Sequence, residues 1–346
     1  MNGERRHVHL AEVLGVCTRP AAQGRHSASK RHAPRQRSAV PNAGAGFDLI
    51  ATERNRHGYA SDPTLRPVSH AVIATECAVA PAPTRRRRTS ARTMHPAAGM
   101  RDLRGATALI TGSAKRIGRA IALSLAREGA NVVVHYRSAV EEAQDLVQEL
   151  TRLGVRAWAL RADFRKINEL NGVVDRAVEL ADSVQILINN ASAFPRNTFE
   201  TVTREELIAS IETDAWAPFE LARRFARQAD AGHIVNLLDT RIAARFDWQH
   251  FAYCAAKDLF GLFTRLMAIH LAPRVAVNVV APGLILPPEG KGPEYLEELK
   301  SELPLQRIGD PAFVAEAVVF LVKSEFITGQ TIFVDGGRHL LGGSRG

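Results

Sequence analysis

Tyr253 and Lys257 lie four residues apart in a stretch with helical periodicity, from about His250 to Leu271. Side chains at this spacing share one face of a helix and are adjacent in space. A phenol with an ordinary pKa near ~10 is a weak acid at neutral pH, but an ammonium one turn away favours the phenolate and lowers that pKa. The pair therefore predicts a general acid, Tyr253, assisted by Lys257.

Asp239 follows a strand predicted over His233 to Leu238, and its side chain is expected to reach the same cleft as Tyr253. A carboxylate accepts hydrogen bonds and does not donate them unless it is protonated. Two plainer interpretations remain: a packed ring beside a surface amine explains the Tyr-Lys spacing, and an Asx-turn that closes the strand explains Asp239. The catalytic interpretation therefore depends on whether a binding site lies nearby.

The stretch Thr111 to Gly118 predicts such a site, because it joins an apolar run, Ala106 to Ile110, to a helical period. Gly112 permits the tight turn, and Gly118 lets the helix lie close to the strand. Amides of the first helical turn then form a cradle for phosphate. The glycine spacing is G-x-x-x-R-x-G rather than G-x-G-x-x-G, and with its strand-turn-helix context it predicts a dinucleotide as ligand.

The next strand, Asn131 to His135, is followed by Tyr136, Arg137 and Ser138, with no acidic residue. A site for NAD normally places Asp or Glu there, on the ribose 2′-hydroxyl. We therefore expect Arg116 and Arg137 to meet a 2′-phosphate, and NADPH to be the cofactor.

Two further strands end in candidate site residues. Asp163 follows the strand Val155 to Leu160 in an adenine-side position, although a cap on the following loop explains it equally well. Asn190, Ala191 and Ser192 follow the strand Gln185 to Ile188, where small residues let a flat ring approach the backbone. Phe194, beyond them, is predicted to stack on a flat heteroaromatic substrate; the alternative is simple apolar packing over the pocket.

Strands and helices alternate from residue 101 onward, and the apolar strands are typical of a parallel sheet covered on both faces. The sequence therefore predicts one doubly wound α/β Rossmann domain over residues 101–346, with an irregular stretch, Leu284 to Pro293, as a mobile lid. The other predicted elements are helices Val140 to Leu153, Ile167 to Leu180 and Pro311 to Leu321, a helix opened by the capping box Thr203 to Glu206 and continuing towards Arg227, a short helix near Tyr295 to Glu302, and strands Val275 to Val280 and Thr331 to Val334.

Residues 1–100 differ in composition from the rest. They carry 16 Lys and Arg against 6 Asp and Glu, whereas the other 246 residues carry 29 against 30. We expect this Arg/Pro-rich tail to be disordered. Three interpretations stay open: a nucleic-acid or localisation tail, an organelle-targeting segment, or, as we favour, sequence upstream of the true start. The charge argument for a nucleic-acid partner thus rests on the tail alone.

The three cysteines, Cys17, Cys77 and Cys254, have no paired spacing, which fits a reducing compartment such as the cytoplasm. No apolar run is long enough to predict a membrane span. The histidines of the tail lack zinc-ligand companions, so no metal site is expected.

These motifs together resemble the short-chain dehydrogenase/reductase family over residues 104 to 340. The similarity is carried by Thr111-Gly112 with Arg116-Ile117-Gly118, by Asn189-Asn190-Ala191, by Tyr253-x-x-x-Lys257, by Pro282-Gly283 and by the closing Thr328-Gly329 and Asp335-Gly336-Gly337. Within the family the chain is similar to pteridine and dihydromonapterin reductases, because Arg116 replaces the usual middle glycine, Ser192 and Phe194 follow Asn190-Ala191, and Asp239 replaces the usual serine.

The resemblance implies an NADPH-dependent reductase of a pterin-type substrate and a homotetramer. It implies catalytic roles for Asp239, Tyr253 and Lys257, and substrate contacts from Ser192, Phe194 and Leu284. Asp214 stands where the family has an asparagine that helps to hold a proton-relay water. The predicted cofactor-binding residues are Gly112, Arg116, Ile117, Gly118, His135, Tyr136, Arg137, Ser138, Asp163, Asn190, Ala191, Ser192, Tyr253, Lys257, Pro282 and Gly283.

Asp239 and Tyr253 are fourteen residues apart, one more than is usual in the family. Either the intervening loop has an extra residue, which we favour, or Thr240 takes the place of Asp239. Two other functions stay open: a carbonyl reductase, such as a 3-oxoacyl thioester reductase, and a nucleic-acid-associated protein that uses the basic tail.

Overall fold

A computed structural model describes residues 101–242, 247–288 and 290–341. The predicted disorder of residues 1–100 lies outside the described residues. One seven-stranded parallel sheet, in the order β3-β2-β1-β4-β5-β6-β7, confirms the doubly wound α/β prediction. Its strands are β1 Thr107–Ile110, β2 Asn131–Tyr136, β3 Ala157–Arg161, β4 Ile186–Asn189, β5 Gly232–Leu237, β6 Val275–Pro282 and β7 Thr331–Val334.

Helices cover both faces of this sheet. They are α1 Arg116–Arg127, α2 Val140–Arg152, α3 Ile167–Asn171, α4 Val173–Ala181, α5 Arg204–Ile211, α6 Ala217–Gln228, α7 Phe251–Leu271, α8 Glu294–Leu299 and α9 Pro311–Lys323. Because alternate strand residues point to opposite faces, Leu109 packs with α4, α6 and α7, while Ile110 packs with α1, α2 and α9. Two apolar cores result, one on each side of the sheet.

Two predicted helices are interrupted in the structure. The predicted helix over 167–180 is split at Gly172, which caps α3 and precedes α4 and has a low propensity for helix interiors. The capping box at Thr203 is confirmed, but the helix that it opens passes through a π-helical turn, Glu212–Trp216, before α6. Pro218, in the first turn of α6, has no N–H to continue a regular ladder.

The strand order places the site. Connections leave β1 and β4 in opposite directions along the sheet, so a crevice opens beyond their carboxyl ends. The phosphate turn follows β1, Asn190 follows β4, Asp239 follows β5, and Pro282 ends β6. The sheet therefore brings to one edge residues that are up to 170 positions apart in the chain.

Candidate active site

The turn after β1 is held tightly against the end of β4. Gly112 adopts a φ of +62°, and a Cβ there would lie 3.0 Å from Ala191 Cα. A Cβ on Gly118 would lie 2.6 Å from the side chain of Asn190, whose amide donates to the carbonyls of Thr111 and Gly112. Both glycines are therefore required by close approach, as the sequence predicted, and Asn190 locks the turn in place.

The residues of this turn fit a dinucleotide pyrophosphate. Helix α1 begins with no side-chain hydrogen bond from its N-cap Lys115 and no acidic residue in its first turn. Its first amides are thus left for an anion, and the partial positive charge of the helix N-terminus attracts one. The predicted contacts of Arg116, Ile117 and Gly118 with the cofactor remain predictions.

His135 faces the protein interior, and its predicted contact with the cofactor remains a prediction. The ring is buried, stacks on Phe164 at 4.4 Å, accepts a hydrogen bond from the Gly112 N–H at 3.0 Å and, in the tautomer that this network requires, donates to the Ala162 carbonyl at 3.1 Å. Burial lowers its pKa to about 4, so the imidazole is neutral near pH 7. His135 supports the phosphate turn from behind, and it uses the Gly112 amide that a phosphate would otherwise meet.

Arg116 and Arg137 have different protein contacts, and their predicted contacts with a 2′-phosphate remain predictions. Arg116 donates to the carbonyl of Pro287 at 2.7 Å. Pro287 follows β6, whereas Arg137 follows β2, and these two strands lie on opposite sides of β1 in the sheet. The guanidinium of Arg161, at the end of β3, instead donates to the Arg137 carbonyl at 3.3 Å. Arg161 is a cation that the sequence reasoning missed, because only the parallel pairing of β2 with β3 brings it beside Arg137.

The neighbouring predicted residues take varied positions. Tyr136 is partly buried at the end of β2, and Ser138 is exposed beside it. Asp163 accepts hydrogen bonds from the backbone and side chain of Arg165, so the loop-capping alternative is the one seen. The guanidinium of Arg165 lowers the Asp163 pKa to about 2. An adenine contact by Asp163 stays a prediction.

Tyr253 and Asp239 meet directly. The Tyr253 hydroxyl donates to Asp239 Oδ2 at 2.9 Å, and Tyr253 is only 6% exposed. Thr240, the alternative partner, is buried and donates to Asp335 at 2.6 Å. The structure thus puts Asp239, and not Thr240, beside the phenol.

Arg241 is a second residue that the sequence reasoning missed. Its guanidinium donates to Asp239 Oδ2 at 2.8 Å and to Asp247 Oδ2 at 2.9 Å, and its backbone N–H donates to Asp239 Oδ1 at 2.9 Å. Burial alone lowers the Arg241 pKa, but the surrounding carboxylates raise it above its ordinary value. The charged state is therefore maintained. Its position two residues after Asp239 was the only available sequence signal.

The pKa of Tyr253 differs from the expected direction. Burial and the negative charge of Asp239 raise it well above 10, although Arg241 opposes that shift. Lys257 is buried, lies 5.5 Å from the centre of the tyrosine ring and donates to the Leu237 carbonyl at 3.0 Å. The two side chains share a helix face as predicted, but the expected lowering of the phenol pKa is wrong, because desolvation and the carboxylates of Asp239 and Asp214 outweigh the Arg241 guanidinium.

Phe194 already has aromatic neighbours. The ring is 40% exposed, stacks on His250 with 3.6 Å between centroids and meets the edge of Tyr253 at 4.7 Å. Arg241 lies 5.3 Å from its centre. The His250 Nδ1 donates to the Pro195 carbonyl at 2.8 Å, which orients the imidazole. Phe194 is thus beside the phenol, but stacking on a substrate stays a prediction, and His250 is a neighbour that the sequence reasoning missed.

Asp214, in the π-helical turn, reaches the same region. Its Oδ1 accepts from the Ala193 N–H at 2.9 Å, and the side chain is buried. Burial raises its pKa, while Lys257, the Ser192 hydroxyl and the Ala193 amide oppose that rise. Burial lowers the Lys257 pKa, and Asp214 and Asp239 oppose this in turn.

The stretch after β6 closes the far side of the crevice. A Cβ on Gly283 would lie 2.5 Å from the Asp335 side chain, so a glycine is needed there. Leu284 is only 8% exposed and packs with Leu296 and Leu303. Its predicted contact with substrate is therefore limited to a small accessible area. Residues 284–288 and 290–293 form no helix or strand, in agreement with the irregular stretch that was predicted.

The described part of the chain has neither a candidate metal site nor a membrane-spanning helix. No group of three or more His, Cys, Asp or Glu side chains there is arranged to hold a metal ion. No helix within 101–242, 247–288 or 290–341 combines the length and apolarity needed to cross a membrane.

A doubly wound parallel sheet with a phosphate turn after β1 and a Tyr-Lys pair on a cleft-facing helix defines a class of dinucleotide-dependent oxidoreductases. Comparisons identify the family. Residues 112–339 match the sequence model of the family described as enoyl-(acyl carrier protein) reductase. The chain is 33% identical over 243 residues to the 3-oxoacyl-[acyl-carrier-protein] reductase FabG of Staphylococcus epidermidis, an alignment that spans 68% of this chain and 99% of the relative.

Solved structures agree with this assignment. FolM alternative dihydrofolate reductase 1 from Brucella canis, complexed with NADP, superposes with a TM-score of 0.66 at 31% identity over 69% of this chain and 96% of that chain. A 7α-hydroxysteroid dehydrogenase complexed with NADH superposes with a TM-score of 0.64 at 30% identity over 68% and 94%. The chain belongs to the short-chain dehydrogenase/reductase family and is an NAD(P)-dependent oxidoreductase.

Proposed function

We propose that this protein is an NADPH-dependent reductase of a pterin-type substrate, in the dihydropteridine or dihydrofolate class. The observation that carries the proposal is the pairing of Tyr253 with Asp239 at 2.9 Å, in a site where Arg241 keeps a full positive charge beside the carboxylate. A charged Asp239 is an acceptor only. It therefore suits a substrate that brings its own N–H donors, as the aminopyrimidine part of a pterin does.

In this proposal the bound cofactor supplies hydride, and Tyr253 supplies the proton. The raised pKa of Tyr253 keeps the phenol protonated across the neutral range, so it is present as an acid. Lys257, which donates to the Leu237 carbonyl, would bind the nicotinamide ribose. The imidazole of His250 covers one face of the Phe194 ring. Phe194 would therefore exchange His250 for the flat substrate ring as its stacking partner.

The preference for NADPH is part of the same proposal. Arg137 follows β2, where no acidic residue is present, and the guanidinium of Arg161 lies against its backbone. The FolM structure described above contains NADP, which is consistent with this choice. The homotetramer and cytoplasmic location that the family resemblance implies are proposed with it.

A second function has support of its own. The FabG relative is a 3-oxoacyl-[acyl-carrier-protein] reductase. Its alignment with this chain covers 99% of the relative's own length. A ketone substrate needs a hydrogen-bond donor at its oxygen, which a charged Asp239 does not supply. Tyr253 would then be the donor, but its hydroxyl is directed to Asp239 in the described structure.

The test compares three substrates with the unmodified protein: dihydrobiopterin, dihydrofolate and an acetoacetyl thioester. NADPH oxidation is followed at equal enzyme concentration, and kcat/KM is measured for each. The proposal expects the two pterin substrates to exceed the thioester. If only the thioester supports NADPH oxidation, the pterin proposal fails and the 3-oxoacyl reductase takes its place.

A further inference from the structure

Arg241 connects three parts of the candidate site. It follows β5, and its guanidinium spans two carboxylates, Asp239 and Asp247, at 2.8 and 2.9 Å. Asp247 in turn accepts from the Gln249 N–H at 2.9 Å, just before α7 begins. Arg241 therefore ties the end of β5 to the beginning of the helix that carries Tyr253, and only 18% of its side chain is exposed.

Both oxygens of Asp239 are fixed by these contacts. Oδ1 accepts from the Arg241 backbone N–H, and Oδ2 accepts from the guanidinium and from the Tyr253 hydroxyl. A planar guanidinium that bridges two carboxylates holds position and direction as well as charge. Without it, Asp239 would keep the hydrogen bond from the backbone N–H but lose the hydrogen bond and the positive charge of the guanidinium.

We propose that Arg241 is a positioning residue that determines substrate class: by holding Asp239 as a charged acceptor, it reserves the site for a ring with an N–H donor and disfavours ketones. The inference rests on the proposed pterin reduction. In the described structure the proton of Tyr253 is directed to Asp239. A substrate N–H replaces the phenol as the donor to Asp239, and this exchange releases the phenol proton for the substrate.

The chemistry balances without a further reactant. Hydride from NADPH adds to the carbon of a ring C=N bond, the Tyr253 proton goes to the nitrogen, and NADP⁺ remains. A ketone has no donor with which to displace the phenol from Asp239, so its carbonyl oxygen competes for the same proton. Arg241 acts on this competition through Asp239, and it does not need to touch the substrate.

The experiment uses Arg241→Met, Arg241→Lys and a matched control, Arg224→Met. Arg224 also lies between two carboxylates, Glu220 at 2.8 Å and Asp175 at 3.9 Å, and it has a similar exposure of 22%. It lies on α6 and makes no contact with Tyr253 or Asp239. For each protein, kcat and KM are measured with dihydrobiopterin and with an acetoacetyl thioester, together with the melting temperature.

We expect Arg241→Met to lower kcat for dihydrobiopterin by about 100-fold, because Asp239 no longer holds the ring in register. The fold loss of kcat for the acetoacetyl thioester should be smaller than that for dihydrobiopterin, by a factor of about ten or more. The ratio of the two kcat values therefore changes. Arg241→Lys, which restores charge but not the planar fork, should recover about a tenth or more of the lost dihydrobiopterin activity. Arg224→Met should leave the ratio unchanged.

A purely structural role predicts other results. Equal losses for both substrates in Arg241→Met, with no recovery in Arg241→Lys, would overturn the inference. If Arg241→Met does not fold, Arg241→Ala assayed with and without added guanidinium ion replaces it; recovery of dihydrobiopterin turnover alone supports the inference, and no selective recovery overturns it. Failure of the proposed function itself is seen separately, as absence of pterin reduction by the unmodified protein.

Discussion

Tyr253 is the residue whose chemistry can be removed with the least change in shape. Tyr253→Phe deletes one hydroxyl, and with it the hydrogen bond to Asp239. Loss of a positioned general acid should lower turnover by about two to four decades, while NADPH affinity stays nearly unchanged. Steady-state turnover and fluorescence titration with NADPH measure the two effects. Tyr295→Phe, on α8, is the control, and retention of full turnover by Tyr253→Phe would mean that another group is the acid.

Arg137 tests the choice of cofactor. A guanidinium bonded to a phosphate contributes about 1.5–3 kcal/mol, which is roughly one to two decades of affinity. Arg137→Asp should therefore weaken NADPH binding by about that factor and leave NADH binding equal or improved. The measurement is the dissociation constant of each cofactor, NADPH and NADH, for Arg137→Asp and for the unmodified protein. Arg152→Asp, on the exposed end of α2, controls for the change of charge, and equal losses for both cofactors would assign Arg137 to structure alone.

Phe194 tests the class of substrate. Phe194→Leu keeps most of the apolar volume but removes the π face that now contacts His250. Loss of ring stacking should reduce catalytic efficiency for dihydropterins by roughly threefold to tenfold. An aliphatic ketone should be affected much less, since it gains nothing from stacking. The ratio of the two efficiencies, compared with that of the unmodified protein, is the measurement.

The phosphate turn is the element on which the cofactor site depends, and one of its non-glycine residues has an unusual backbone conformation. Arg116 adopts a φ of +56°, a left-handed conformation that favours glycine. Arg116→Gly should relieve roughly 1–2 kcal/mol of backbone strain, offset in part by the greater entropy of an unfolded glycine. The melting temperature should therefore not fall, while NADPH affinity should fall if the guanidinium binds phosphate.

The contrast for that prediction is Gly118→Ala. Its Cβ would lie 2.6 Å from both the Asn190 side chain and the Gly112 carbonyl, so the turn and the end of β4 must separate. We expect a loss of both stability and cofactor binding, measured by melting temperature with and without NADPH. An unchanged melting temperature for Gly118→Ala would show that the turn adapts more easily than its contacts imply.

Two buried histidines affect the stability of the whole domain. Burial lowers the pKa of His135 and of His233 to about 4 from 6.5. Each imidazole takes up a proton near pH 6.5 in the unfolded protein but only near pH 4 in the folded protein. The free energy of unfolding is therefore highest above pH 6.5 and decreases as the pH falls from 6.5 towards 4. At pH 5 each histidine should reduce the free energy of unfolding by about 2 kcal/mol relative to neutral pH.

His233→Leu isolates one of these contributions. The His233 Nδ1 is buried with no hydrogen-bond partner among the described residues, so its removal should cost little at pH 7. The variant should lose less stability between pH 7 and pH 5 than the unmodified protein does, by about 2 kcal/mol. Urea unfolding at the two pH values measures the difference. An identical pH dependence would mean that His233 titrates normally in the folded protein.

The sequence alone determined the features that have a local cause. Apolar runs that alternate with helical periods predicted all seven strands within two or three residues, and the spacing of Tyr253 and Lys257 placed them on one helix face. The two glycines of the phosphate turn were also identified correctly, because a strand followed by a turn and a helix requires close backbone approach at fixed positions.

Tertiary structure decided what depends on neighbours distant in the chain. Burial and Asp239 raise the pKa of Tyr253, although helix spacing predicted a lowering by Lys257. His135 accepts from the Gly112 amide and Arg116 donates to the Pro287 carbonyl, and neither contact could be predicted from spacing along the chain. A linear sequence gives spacing along one element, but desolvation and long-range hydrogen bonds are properties of the packed site, and they set both the pKa of Tyr253 and the direction of its proton.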